Sequence, residues 1–129
     1  NGHSSNNVQI KNCIVNDTRN HIFNIDDSTI NITYSNVPNS NYSGPWSGQG
    51  NIYVNPCFVD ADNGDFHLRS QTGRFDPNSQ SWIVDEITSP CIDTGSIDSP
   101  IGDEPVPNGD VINMGAYGGT TEASKSYLN

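Results

Sequence analysis

Positive charge is scarce in this sequence of 129 residues. Two Lys and three Arg stand against fifteen Asp and Glu, for a formal charge of −10. A surface of that sign repels phosphate backbones and anionic bilayers, which argues against nucleic acid as a partner. Long apolar runs are missing too: none approaches the roughly 20 residues that a bilayer-spanning helix requires. Only one Met is present and 32% of residues are hydrophobic, too little to fill a thick globular core, so any interior has to be narrow. Cysteine is limited to Cys13, Cys57 and Cys91, none at zinc-ligand spacing from another, which leaves small buried thiols as the plain reading. There is no initiating Met. The opening Asn1-Gly2-His3-Ser4 reads as the start of a segment cut from a longer polypeptide, with any export signal upstream.

What is present points to a folded chain. Two Trp, five Tyr and four Phe supply compact anchors, and Ile and Val recur in tight alternation between polar turns. The alternation repeats. Val8-Gln9-Ile10 to Val15, Ile30-Asn31-Ile32 to Val37 and Ile52-Tyr53-Val54 to Val59 align at offsets of 22 residues. Four columns stay apolar or small through the three copies: Val8/Ile30/Ile52, Ile10/Ile32/Val54, Cys13/Ser35/Cys57 and Val15/Val37/Val59. The intervening column Gln9/Asn31/Tyr53 points the other way, as period-two strand geometry demands.

At about 3.3 Å per residue, 22 residues make three short strands and their turns, which suits one coil of a solenoid. The sequence therefore predicts an all-β fold, a right-handed parallel β-helix with coils of about 22 residues over residues 1–65. A loop-rich capping segment of the same domain, residues 66–129, would close the stack. Four prolines, Pro90, Pro100, Pro105 and Pro107, keep residues 89–119 from regular helix or central strand, and Trp82 is expected beneath this cap. In that register Cys13 and Cys57 lie two coils, about 9 to 10 Å, apart, beyond the reach of about 7 Å between the Cα atoms of a disulfide. An open first coil exposes strand edges, so self-association through residues 1–25 is expected.

Several stretches carry a resemblance: Tyr34-Ser35-Asn36-Val37, Asn55-Pro56-Cys57-Phe58-Val59-Asp60, Gly64-Asp65-Phe66-His67-Leu68, Ser89-Pro90-Cys91-Ile92-Asp93-Thr94-Gly95 and Asn113-Met114-Gly115-Ala116-Tyr117-Gly118-Gly119. In this order they resemble the C-terminal region of bacterial and archaeal right-handed parallel β-helix repeat proteins. The resemblance implies an exported or cell-surface protein, related in shape to pectate lyases and other polysaccharide-active enzymes. It carries over no catalytic residue.

Asp60, Asp62 and Asp65 alternate around Gly64 as calcium-binding oxygens do, although the Glu that completes an EF-hand is replaced by Gln71, and an Asp/Asn/Gly turn has the same composition. No cofactor is required by the sequence; calcium is the one it allows. Tyr42 and Trp46, set among small residues, and the outward Tyr53 form an aromatic platform suited to a sugar ring. The acidic neighbours Asp26-Asp27, Asp85-Glu86 and Asp103-Glu104 read as solvated turn charges, because adjacent strand residues face opposite ways and a glycosidase pair has to converge. His21, near Arg19, Asp26 and Asp27, is the best-placed general acid or base, with a surface histidine as the plainer reading; His3 and His67 have no supporting cluster in the sequence. The mixed columns show no Thr ladder of an ice-binding face. The expectation is a structural, capping module of an extracellular or cell-surface protein, in contact with polysaccharide. The alternative is a part of a polysaccharide lyase or glycoside hydrolase whose catalytic residues lie mostly upstream.

Overall fold

The structure, a computed structural model, describes residues 7–15, 29–37 and 48–127. Strands β1 (Asn7–Lys11) and β2 (Thr29–Thr33) pair in parallel, with Val8 opposite Ile30 and Ile10 opposite Ile32. The offset of 22 residues read from the sequence is thus the backbone register of this pair. It continues past the strand ends, where Ile14 bridges Asn36.

Each copy of the repeat also closes with the same small turn. Cys13 Sγ, Ser35 Oγ and Cys57 Sγ each donate to the carbonyl two residues earlier, on Lys11, Thr33 and Asn55. In the first two copies the residue before the donor is left-handed, Asn12 and Tyr34 with φ of 57° and 51°; in the third Pro56 takes that place and Cys57 itself is left-handed, with φ of 57°. The Ser35 hydroxyl also accepts from Cys13 N, which ties the first two turns together.

The predicted parallel β-helix is not what the chain builds. The third copy slips: Asn36, rather than Ile30, contacts Ile52 in parallel. This displaced backbone is held by Val37 N donating to Ile52 O and Ile52 N donating to Ser35 O. Pro56 leaves that copy one ladder donor short. Next the direction of pairing reverses. Strands β3 (Phe58–Asp60) and β4 (Asp65–Leu68) are antiparallel, joined by a 3₁₀ turn (Ala61–Asn63) and Gly64 at φ 84°, whose N–H closes on Ala61 O. A second antiparallel hairpin follows, β5 (Arg74–Asp76) with β6 (Ser81–Ile83). The described residues therefore form three separate two-stranded sheets, with no closed coils. Asp, Asn and Gly turns fold the chain back on itself where a solenoid needs it to advance.

The interior is as narrow as the composition predicts. Leu68, Cys91, Ile92 and Met114 form a buried cluster, with Ile14, Ile52 and Phe58 packed against it. Each such side chain removed from water contributes about 1.5–3 kcal/mol.

Much of the remaining order is polar. Asn12 Oδ1 accepts from Ser96 N, its Nδ2 donates to Ser99 Oγ, and its carbonyl accepts from Gly115 N. Further along, Ser70 Oγ donates to Lys125 O, and Ser124 Oγ donates to Leu68 O. The region expected as a cap is thus sewn to both the first repeat and the hairpins. Trp82 is only partly covered by it: the residue is 38% exposed, its ring edge-on to Phe75, with Lys125 Nζ 4.3 Å above the ring.

Candidate functional site

A short stiff segment presents Tyr53. Asn36 is buried, and its side-chain amide grips Val54 at both ends of the peptide: Nδ2 donates to Val54 O at 2.8 Å, and Oδ1 accepts from Val54 N at 2.9 Å. On the other side, Ile52 is fixed through both its N–H and its carbonyl to the backbone of Ser35 and Val37. Tyr53, between these two anchored residues, is 53% exposed and Val54 beside it 38%. An aromatic side chain on an immobilised backbone contacts a ligand at low ordering cost. Tyr42 and Trp46, expected to complete the platform, lie outside the described residues, as do His3, Arg19, His21, Asp26 and Asp27.

The aspartates proposed for calcium share one turn and make separate contacts. Asp60 Oδ2 accepts from Asn63 Nδ2 in the tight turn, and Asp62 is exposed. Asp65 turns its Oδ1 to the backbone N–H and to Nδ1 of His67. Among the described residues no group of three or more His, Cys, Asp or Glu side chains is arranged to hold a metal ion.

His67 does have a cluster. The ring is 2% exposed and lies between two carboxylates, Nδ1 2.6 Å from Asp65 Oδ1 and Nε2 2.9 Å from Glu122 Oε1, while Tyr117 stacks on it at 3.7 Å between centroids. The aspartate was within reach of sequence reasoning, since residues 65 and 67 share one face of a strand. Glu122, 55 residues away, gave no signal. With both ring nitrogens facing carboxylates and no open side, this imidazole joins segments together; it offers nothing to a substrate.

Two of the acidic residues expected as solvated turn charges, Asp85 and Glu104, are not solvated. Asp85 receives both Arg74 Nε and Ser70 N. Glu104 is buried, its Oε2 accepting from Asn113 N and Gly119 N. Asp103 and Glu86 are exposed.

Arg69, Arg74, Asp85 and Glu86 line an open depression of about 410 Å³ with Val59, Val84 and Ile87 as its apolar wall. Arg69 and Arg74 are two of the five basic residues of the chain. This depression had no signature in the sequence, because its walls come from β3, the residue after β4, β5 and the segment after β6.

No helix among the described residues is long and apolar enough to cross a membrane. A family model described as disaggregatase related matches residues 2–95. No curated protein and no solved structure matches the chain. The resemblance to parallel β-helix repeat proteins finds no support in these comparisons.

Proposed function

We propose, from the premise that this chain belongs to the disaggregatase-related family, that it is a non-catalytic attachment module of an extracellular or cell-surface protein, one that contacts carbohydrate through Tyr53. The description of the family relates its members to a disaggregatase. On that footing the parent acts on an aggregate, and this module holds it against the material. The observation that carries the reading is the anchoring of an exposed tyrosine from both sides, Val54 by the Asn36 side chain and Ile52 by the backbone of Ser35 and Val37. Sugar rings present flat C–H faces, and an aromatic ring held in place binds them without first losing side-chain and loop freedom. The polar ties agree with a structural role, since Asn12, His67 and Ser70 join distant segments to one another.

Titration of the chain with neutral and acidic oligosaccharides, followed by tyrosine and tryptophan fluorescence or by calorimetry, tests this reading. Tyr53→Ala is expected to weaken binding about tenfold, the loss of roughly 1.4 kcal/mol of ring contact. Its thermal midpoint should stay at the wild-type value, because the ring is mostly in water. Oligosaccharides that fail to bind the wild-type chain, or that bind Tyr53→Ala equally well, would overturn the proposal.

A further inference from the structure

The depression beside Arg69 and Arg74, about 410 Å³, has the size of a small-ligand site, and its walls are held in place. Ser70 N donates to Asp85 Oδ2 and Asp85 N to Ser70 O, both at 2.9 Å. Next to them Gln71 Nε2 donates to Glu86 O at 3.0 Å, and Ser89 N to Arg69 O at 2.9 Å. The segment carrying Val84 to Ile87 is thus laid along the one carrying Arg69, and a ligand meets groups that are already ordered.

Both arginines keep donors unused. A guanidinium has five N–H groups. Arg74 engages one of them: its Nε donates to both oxygens of Asp85, at 3.0 and 2.9 Å. The Nη hydrogens meet no acceptor among the described residues, although the side chain is only 12% exposed. Arg69 makes a single hydrogen bond, from Nη2 to Val59 O, at 3.4 Å, and pairs with no carboxylate among the described residues. In a chain with fifteen acids and five basic residues, that sets Arg69 apart. Guanidinium donors without acceptors, lining a depression, favour a ligand that supplies oxygens.

Charge decides the class of that ligand. The two guanidinium groups share the depression with two carboxylates, Asp85 and Glu86, so it carries no net charge to draw in an anion, and the chain at −10 repels one. It offers donors beside an acceptor, since the Glu86 side chain is exposed. A hydroxyl group both donates and accepts. Alongside stand Val84, 69% exposed, and Ile87, 44% exposed, an aliphatic wall facing water. A ring with hydroxyl groups on its edge and C–H groups on its face matches all of these at once.

We infer that the depression is a binding site for a neutral pyranose unit: Arg69 and Arg74 donate to its hydroxyl oxygens, Glu86 accepts from a hydroxyl, and Val84 and Ile87 cover its C–H face. None of these residues belongs to the segment 52–54 that carries Tyr53, so the site stands independently of that tyrosine. A glycan long enough to reach both would be held more tightly than at either alone.

The test titrates the whole isotope-labelled chain with lactose, cellobiose and chitobiose, and with digalacturonate as the acidic counterpart, followed by NMR. A neutral disaccharide is expected to shift the amide resonances of residues 84–87 and the Nε–H resonances of Arg69 and Arg74. Arg69→Ala, at an exposed position, should weaken that binding about tenfold, while Tyr53→Ala leaves it at the wild-type value. Glu86→Gln removes one negative charge and should raise the affinity for digalacturonate severalfold relative to the neutral sugars. The site is refuted by an absence of shifts at residues 84–87 with all three neutral disaccharides, by wild-type affinity in Arg69→Ala, or by a wild-type preference for digalacturonate. Shifts confined to residues 52–54 would refute it too and spare the reading of Tyr53; shifts confined to residues 84–87 would do the reverse.

Discussion

Nε2 of His67 stands 2.9 Å from Oε1 of Glu122, so an imidazole in the first hairpin is joined to a carboxylate near the other end of the described chain. The other nitrogen is held by Asp65, which is the better shielded partner: its side chain is 22% exposed, against 41% for Glu122. Losses on substitution should rank accordingly. His67→Ala is expected to cost about 3 kcal/mol or more, since it strips the stacked Tyr117 of its neighbour and strands a half-buried carboxylate. Asp65→Ala should cost about 2 kcal/mol, and Glu122→Ala below about 1 kcal/mol, because water screens the outer pair. Urea denaturation of the three variants checks the order.

Asn36→Ala removes both bonds of the clamp on Val54. The expected loss is about 1.5–3 kcal/mol, and oligosaccharide affinity should fall together with it, since the backbone carrying Tyr53 is freed. Asn36→Asp keeps the acceptor for Val54 N and loses the donor to Val54 O. With Asn36 only 1% exposed, the carboxylate would face the Val54 carbonyl unpaired, so this variant should cost at least as much stability as Asn36→Ala and also bind more weakly than the wild type.

Gly48 lies against the second strand. A Cβ there would sit 1.9 Å from Ile32 O, a backbone atom that cannot swing aside. Gly48→Ala is therefore expected to cost more than about 2 kcal/mol. By contrast, a Cβ at Gly64 would meet nothing within 4 Å, and only its left-handed φ of 84° resists substitution. Gly64→Asn should be tolerated within about 1 kcal/mol, as Asn adopts that region more readily than other side chains do. Thermal midpoints of the two variants, measured side by side, separate collision from backbone preference.

Cys91 is fully buried, and burial pushes its thiol up to about 11. The thiolate is the reactive form. Alkylation at about pH 8 under native conditions should modify Cys13 and Cys57, which are half-buried, and leave Cys91 untouched until the chain is denatured. Mass spectrometry of the digested protein reads out each position.

The sequence disclosed the strands and turns better than their assembly. Period-two alternation and the 22-residue offset located β1 and β2, paired them correctly, and aligned Cys13, Ser35 and Cys57 on one recurring turn. All of this is local information repeated in the chain. The failure began where local equivalence stopped deciding the outcome. Ile52 matches Ile30 residue for residue, but the backbone opposite it belongs to Asn36, whose side-chain amide also holds Val54. A polar core residue thus competes with the hydrophobic pattern for the register, and periodicity cannot show this. The sites followed the same division. Tyr53 was legible as an outward position of a strand-like run. The pairing of His67 with Glu122, the burial of Glu104 against Asn113 and Gly119, and the depression that joins Val59 to Ile87 depend on contacts between separate segments, which no spacing rule encodes.

Asn12 gives the polar stitching a meaning in time. Its side chain waits for Ser96 and Ser99, and its carbonyl for Gly115. During synthesis the first turn of the repeat therefore emerges long before its partners exist. Contacts so distant along the chain make folding slow, because loop closure comes before the contacts that reward it. A shortened chain that stops at residue 95, where the family match ends, would keep every repeat and lose the partners of the first. Such a fragment should be soluble only while held by something else, and its nascent form has to remain unaggregated until nearly the whole segment has been made.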